Sequence, residues 1–350
     1  MIKVIEIEDA LRLSFPIVDV RSPGEYLAGH IPDAHNIPLF SDLERAHIGT
    51  AYKRESKEKA VEIGFDYANP KRMWYVDEVC ELAQGRPVVV HCWRGGMRSR
   101  LFAEHLHEQG IENIYTILGG YKAFRQLINC RFAQRQNMVV VGGFTGSGKT
   151  ALINELRKRY KLNVVDLEAL ASHKGSAFGS IGMSSQPTTE HFQNMLYMVL
   201  RQYSTDETLL VEDESMRIGK VSLPQAFFEQ MRNAKVLFLD IPRSQRVQHL
   251  VEDYVLTADN AKLENALRRI SKRLGNERCE NALEALAAKD YGTVAEIALH
   301  YYDKAYLYGL GKRSPGLVTK VDCSKVNAKE NSAVIYKLLT NSDSHKDDLV

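Results

Sequence analysis

Short apolar runs recur along this chain, separated by segments with one apolar and one polar face. Ile17-Val18-Asp19-Val20, Pro87-Val88-Val89-Val90 and Tyr115-Thr116-Ile117-Leu118 are too short for stable helices and rich in β-branched residues. Each reads as a strand buried on both sides. Helical patterns follow them: one after Arg21, with Ser22 as N-cap and Pro23 in its first turn, then Ser99–Gln109 and Tyr121–Ile128. Residues 29–38, GHIPDAHNIP, form a turn-rich connector. The charged run YKRESKEKA at 52–60 reads as a solvated helix face, with Lys53, Arg54, Lys57 and Lys59 as the positions open to a polyanion. The scheme then repeats. Strands are expected at Met138–Val141, Leu162–Asp166, Thr208–Glu214, Lys235–Asp240 and Leu317–Asp322, with an amphipathic helix over Ala151–Tyr160. Strands alternating with helices imply parallel sheets covered on both faces, with ligands at the carboxyl ends of the strands.

The 350-residue length calls for two domains, placed at 1–132 and 137–340, with the boundary within Asn129–Gln136 and a polar, disordered tail at 341–350. A 44% hydrophobic and 26% charged composition fits a soluble globular protein. The five cysteines have no regular spacing, which argues against a disulfide framework and for a reducing cytoplasm. No apolar run approaches the roughly 20 residues that cross a bilayer. The opening MIKVIEIEDA lacks a signal-peptide core. A net charge of +2 gives no global signal for nucleic acid, so any such surface is local. No symmetric interface is suggested, and a monomer is expected.

Two loops carry the chemistry. His91 to Arg100, HCWRGGMRSR, lies between a strand and a helix. Gly95 and Gly96 allow the loop to curl with its amides inward, and a helix N-terminus stands behind it. Such a nest favours an anion and turns Cys92 into a nucleophile. The other four cysteines, Cys80, Cys130, Cys279 and Cys323, read as inert. Downstream, Gly143-Phe144-Thr145-Gly146-Ser147-Gly148-Lys149-Thr150 matches G-x-x-x-x-G-K-[ST] between a strand and a helix. Its amides at Gly143, Gly146, Ser147 and Gly148 would wrap a diphosphate. Lys149 would reach across the oxygens and Thr150 would ligate Mg²⁺. Asp166, Glu212 and Asp213 are the candidate acids for that metal, with Asp213 favoured; Asp240 reads as a turn-former.

Three further stretches complete the picture. Residues 175–187, rich in glycine and serine, read as a flexible substrate loop or a plain linker. Arg268, Arg269, Lys272 and Arg273, with Arg278 beyond, form a basic amphipathic helix, read either as a solvated face or as a contact for RNA phosphates. Tyr291, Tyr301, Tyr302, Tyr306 and Tyr308, near Lys304 and Arg313, either stack bases or pack between helices.

DVRSPGEYLAGHIPDAHNIP at 19–38, joined to a cysteine loop after VVVH, resembles a rhodanese domain. The resemblance implies that Cys92 carries a chalcogen atom inside a persulfide or selenide loop of Trp93, Arg94, Gly95, Gly96 and Met97. It makes Asp19 and Arg21 a structural polar pair, and His30 is expected to have a packing or turn role. Cys92 to Arg98 is one residue longer than common sulfurtransferase loops. That length resembles cysteine phosphatases, where amides and an arginine fork hold phosphate. Sulfur-group transfer and phosphate-monoester hydrolysis therefore both stay open for this domain alone, with Asp33 as the candidate general acid for the latter.

With HCWRGGMRS and GGFTGSGKT in that order, nearly the whole chain resembles the tRNA 2-selenouridine synthases. The implied fold is α/β: a rhodanese-like parallel-sheet domain followed by a P-loop nucleotide-kinase-like domain with extra helices. The implied activity is that of a transferase acting on tRNA that bears 2-thiouridine at the wobble position. Geranyl diphosphate alkylates the sulfur. Selenophosphate, delivered by selenophosphate synthase, then supplies selenium through Cys92, with Arg98 gripping its phosphate. The rival expectation is a P-loop kinase or NTPase with an attached sulfurtransferase or cysteine-phosphatase domain acting on a small molecule. A non-catalytic rival is a nucleotide-gated RNA-binding adaptor.

Overall fold

The computed structural model describes residues 1–176, 178–257 and 259–343. The chain divides into two compact units: Met1–Arg131 with Gln193–Tyr197, and Phe132–Phe192 with Met198–Val350. Both are built on five-stranded parallel sheets, as the recurring apolar runs predict. No described helix is long and apolar enough to cross a membrane.

In the first unit the strands are β1 (Ile2–Ile5), β2 (Ile17–Asp19), β3 (His35–Asn36), β4 (Val88–His91) and β5 (Ile114–Ile117), ordered β1-β5-β4-β2-β3. Every residue of β4 is buried, which explains why it reads as a continuous apolar run. Val18, Val88, Val90, Phe102, Leu106 and Ile114 form its core, closed by Tyr75 and Val79 of the helix Arg72–Ala83. The charged stretch at 52–60 straddles a break between two helices, Asp42–Arg54 and Lys57–Ala68. Ser56 caps the second through the Lys59 amide. Lys53, Arg54, Lys57 and Lys59 all face solvent.

Asp19 and Arg21 are fully buried and doubly bonded, with Arg21 Nη2 2.6 Å and Nε 3.0 Å from Asp19 Oδ2. Arg21 also donates to the Gly29 carbonyl at 2.8 Å and lies over the Tyr121 ring. The pair thus ties the end of β2 to the connector and to the start of the helix Gly120–Ala133. That helix runs to Ala133, and the units divide within it at Arg131–Phe132, inside the 129–136 segment.

The second unit contains β6 (Met138–Gly143), β7 (Asn163–Val165), β8 (Leu209–Glu212), β11 (Lys235–Asp240) and β12 (Val318–Asp322), ordered β12-β11-β6-β8-β7. A two-stranded antiparallel pair, β9 (Arg217–Ile218) and β10 (Val221–Ser222), lies between β8 and β11 in sequence. β6 is central, so its carboxyl end opens at the middle of the sheet. Helices Asn260–Leu274, Asn276–Ala287 and Tyr291–Leu310 form a separate apolar cluster that includes Phe178 and Ile181.

The basic helix is really two. Gly275, at φ +94°, ends the first, so Arg278 belongs to the next helix. Glycine- and serine-rich residues 175–181 are no plain linker, since Phe178 and Ile181 are core residues. The helix Ala328–Asp343 carries order into the expected tail; residues 344–350 lie outside the described residues.

Arg21→Met strands a buried carboxylate, with an expected cost of about 3–5 kcal/mol. It should appear as a lower urea midpoint at unchanged slope. Burial opposes the Asp19 charge, but His91 and Arg21 more than offset it and hold its pKa below the ordinary value. The wild-type advantage should therefore be complete above the usual aspartate range and fade as pH falls through the folded pKa. A pH-independent difference would refute this assignment.

Candidate functional sites

Cys92 stands at the carboxyl end of β4, and the following helix, Met97–Glu108, begins five residues later. This is two residues earlier than the sequence pattern suggests, so Arg98 and Ser99 sit in its first turn. The loop is locked from outside. Tyr121 N–H donates to the Cys92 carbonyl and Lys122 N–H to the Trp93 carbonyl, both at 2.9 Å. Gly95 needs its left-handed backbone, because a β-carbon there would strike the Ile117 carbonyl.

The thiol is only 3% exposed. Its Sγ lies 3.3 Å from Ser99 Oγ, and the amides of Ser99 and Arg94 also bond it. Burial works against the thiolate, but Ser99, the Arg98 charge and the two amides together bring the pKa below the ordinary thiol value. Arg98 is not aimed freely at the loop. Its Nη1 donates to Glu25 Oε2 at 3.0 Å, and Glu25 also receives Arg45 at 3.2 Å. Burial raises the Glu25 pKa, yet Arg98, the Ser22 amide and Arg45 lower it overall. Trp93, 36% exposed, and Met97, 40% exposed, give the loop an apolar surface; Trp93 is braced against Tyr121 and Arg21.

The histidines and Asp33 take other places. His30 stacks on Tyr26, with ring centroids 3.7 Å apart and Nδ1 2.9 Å from the Tyr26 carbonyl, a packing role. His91 is completely buried; burial lowers its pKa while Asp19, whose Oδ2 lies 3.7 Å from Nε2, raises it. Asp33 occupies an exposed turn at φ +66°.

In the second unit β6 delivers the phosphate loop, and the helix Lys149–Tyr160 starts at Lys149 itself. Gly148 has φ +71°, and a β-carbon there would lie 2.7 Å from Val326 Cγ1. Arg246 braces the loop: Nη1 donates to the Thr145 carbonyl at 3.1 Å while the guanidinium grips Asp303 twice. Lys149 Nζ bonds the Gly143 carbonyl at 3.1 Å, folded back over the loop. The Gly143 amide does not face a phosphate as expected; it donates to Tyr306 Oη at 3.0 Å.

The favoured metal acid needs correction. Asp213 receives Tyr306 Oη at 2.7 Å on one oxygen and Arg313 on the other, which leaves it a structural anchor. Asp166 caps the helix Leu167–Ala171 through the Ala169 amide. The acid beside Thr150 is Glu168, whose Oε2 accepts the threonine hydroxyl at 2.7 Å. Glu168 and Thr150 offer hard oxygen donors that fit Mg²⁺ next to a diphosphate. Nearby, burial and then Glu168 push Glu214 up to about 8. Burial, Glu168 and Asp166 raise Glu212, whose Oε1 has no hydrogen-bond partner. Among the described residues, no three His, Cys, Asp or Glu side chains form a metal-binding group of their own.

A cavity of about 360 Å³ opens over the phosphate loop. Lys149, Lys174 and Arg232 share its lining with Glu168, Asp213 and Glu214, while Phe178, Ile181 and Leu250 add apolar surface. The tyrosines mostly pack: Tyr302 against Phe178, Tyr306 against the loop, and Tyr291 onto Asn260. Tyr308 alone of these is 70% exposed, with Lys312 over its ring. Arg268, Arg269, Lys272, Arg273 and Arg278 are all exposed. Arg268 pairs with Glu264 and Arg273 bonds Tyr301, whereas Arg269, Lys272 and Arg278 have no ion pair among the described residues.

Sequence reading missed Ser99, Glu25, Glu168 and the Tyr306–Asp213–Arg313 link. Ser99 was detectable, directly after Arg98 in a cysteine loop. The others act across long sequence separations and leave no local pattern.

A cysteine nest on one parallel sheet and a phosphate loop on another define a rhodanese-like domain followed by a P-loop domain. Residues 5–127 match the Rhodanese-like domain family, and residues 136–334 match the tRNA 2-selenouridine synthase AAA domain family. The tRNA 2-selenouridine synthase of Nitrosomonas europaea is 33% identical over 349 residues, covering 85% of this chain and 90% of that protein. Those of Nitrosomonas eutropha and Hydrogenovibrio crunogenus are 34% and 35% identical, each covering 85% or more of this chain; the aligned segments span 89% and 90% of those proteins. The chain belongs to the tRNA 2-selenouridine synthase family.

Alkylation of Cys92, followed by peptide mass spectrometry against pH, should show a midpoint below the ordinary thiol range. Ser99→Ala removes a donor to the thiolate and should move the midpoint up. An unshifted midpoint in that variant would refute the role given to Ser99.

Proposed function

We propose that this protein converts 2-thiouridine to 2-selenouridine at the wobble position of tRNA, with prenylation at the phosphate loop and selenium transfer at Cys92. The observation that carries this reading is one chain holding a thiol whose pKa is lowered by neighbouring donors and a phosphate-loop cavity with apolar walls. Family membership over nearly its full length supports it.

A 2-thio sulfur is a poor leaving group. In the first half-reaction it attacks the diphosphate-bearing carbon of geranyl diphosphate. A C–S bond forms, the C–O bond breaks, diphosphate departs and the N3 proton is lost to solvent. The phosphate-loop amides and Lys149 stabilise charge on the departing diphosphate. Mg²⁺, when bound, supplies further positive charge there, held by Thr150 and Glu168. In the second half-reaction C2 gains selenium from selenophosphate and C2–S breaks. The S-geranyl group leaves as a thiol, and water splits the Se–P bond to release phosphate. The Cys92 loop positions the selenium of selenophosphate for attack on C2, and Arg98 holds the phosphate that delivers it by exchanging Glu25 for phosphate oxygens. Trp93 offers an aromatic face beside the thiol for the incoming base.

Nucleoside mass spectrometry of tRNA incubated with geranyl diphosphate and selenophosphate separates the roles. Cys92→Ala should accumulate S-geranyl-2-thiouridine, and Lys149→Ala should leave 2-thiouridine untouched. Both variants stalling at one species would refute the division. Steady ATP turnover without RNA would instead favour a kinase or NTPase.

The exposed, unpaired Arg269, Lys272 and Arg278 are assigned to tRNA phosphates. Replacing each by Gln should weaken tRNA binding and lower the slope of log K against log salt by about 1. An unchanged slope would place the RNA elsewhere.

A further inference from the structure

Apolar surface begins at the phosphate loop itself. Leu250 lies against Gly146, where a β-carbon would meet Leu250 Cγ at 3.0 Å. Leu250 and Tyr302 pack into the same cluster as Phe178 and Ile181, and Phe178 meets Tyr302 edge to face at 6.3 Å. These four side chains and Leu310 all line the cavity that holds Lys149 and Thr150. Phe178 and Ile181 are fixed by the helices behind them, so this wall is rigid on its far side.

We propose that this wall seats the hydrocarbon chain of the diphosphate substrate and sets its length, with Leu250 and Leu310 as the residues that gauge it. The proposal rests on the reading that the phosphate loop holds a diphosphate leaving group. Each methylene that leaves water for such a wall strengthens binding about fourfold. A nucleotide would press ribose hydroxyls and base edges against the same side chains and lose hydrogen bonds to water. The cavity, about 360 Å³, is near the lower end of the roughly 300–1,000 Å³ typical of ligand sites. A chain longer than the wall pushes a side chain aside or leaves its end in water, and gains nothing from its extra methylenes, which gives selectivity as well as affinity.

The test is calorimetry on the full-length protein with Mg²⁺, using inorganic pyrophosphate and the dimethylallyl, geranyl and farnesyl diphosphates. Geranyl diphosphate should bind at least tenfold more tightly than pyrophosphate. Leu250→Ala should erase most of that gain while leaving pyrophosphate within twofold. Leu310→Phe, which narrows the cavity without emptying it, should shift preference towards dimethylallyl diphosphate. Pyrophosphate failing to bind would overturn the diphosphate reading and this inference with it. Pyrophosphate binding as tightly as all three esters would overturn the inference alone. So would both variants weakening every ligand equally.

Discussion

Both sites depend on a sharp turn just past the end of a buried parallel strand, where backbone amides leave the sheet. A buried parallel strand uses its hydrogen bonds on its neighbours. Just beyond its last residue the chain must turn sharply, and its next N–H groups are left for a ligand or a side chain. In the first unit that acceptor is Cys92 Sγ, served by the Arg94 and Ser99 amides. In the second the Gly143 amide goes to Tyr306 Oη and the Ser147 amide turns back to the Phe144 carbonyl, while Gly146, Gly148 and Thr150 line the cavity. Neither loop could hold this shape by itself. One is clamped by Tyr121 and Lys122, the other by Arg246 and Tyr306.

The clamps share a physical logic. Arg21–Asp19, Arg246–Asp303 and Arg313–Asp213 each pair an arginine with an aspartate, and in each the arginine is buried. Such pairs give little net stability, but they tolerate few alternative geometries because an unpaired buried charge is costly. They hold the ends of parallel strands in register with the loops that do chemistry. Tyr306 joins two tasks, since its hydroxyl both donates to Asp213 and accepts from Gly143. Burial and the neighbouring Glu168 push the Glu214 pKa up to about 8, which limits negative charge beside the phosphate loop.

Glu25 and Arg98 show how a motif can be legible while its state is not. The arginine at the end of the cysteine loop suggests an anion grip, and its position in the helix Met97–Glu108 agrees with that. In the structure the guanidinium rests on a carboxylate seventy-three positions away. Glu25 thus occupies the Arg98 guanidinium with a carboxylate of its own. No spacing in the chain announces that partner, because its proximity depends on how two separate strand ends meet.

The sequence by itself determined the buried strands β2, β4 and β5 and the five strands of the second sheet, the two loops and the capped helix after Arg21, but not the edge strand β1 or the β9–β10 pair. These follow from short-range rules: continuous apolar runs, glycines that permit a tight turn, and polar residues that satisfy free helix amides. It also placed Cys92, Lys149 and Thr150, whose neighbours in the chain are the neighbours that matter. Only the tertiary structure decided which acid meets Thr150. Asp213 looked suitable at the end of β8, yet Arg313, a hundred positions on, takes one of its oxygens. Glu168, on a separate helix, meets the threonine instead. It likewise decided that Phe178 and Ile181 form a cavity wall. A glycine- and serine-rich stretch reads as loose until apolar residues from distant helices close around its two large side chains.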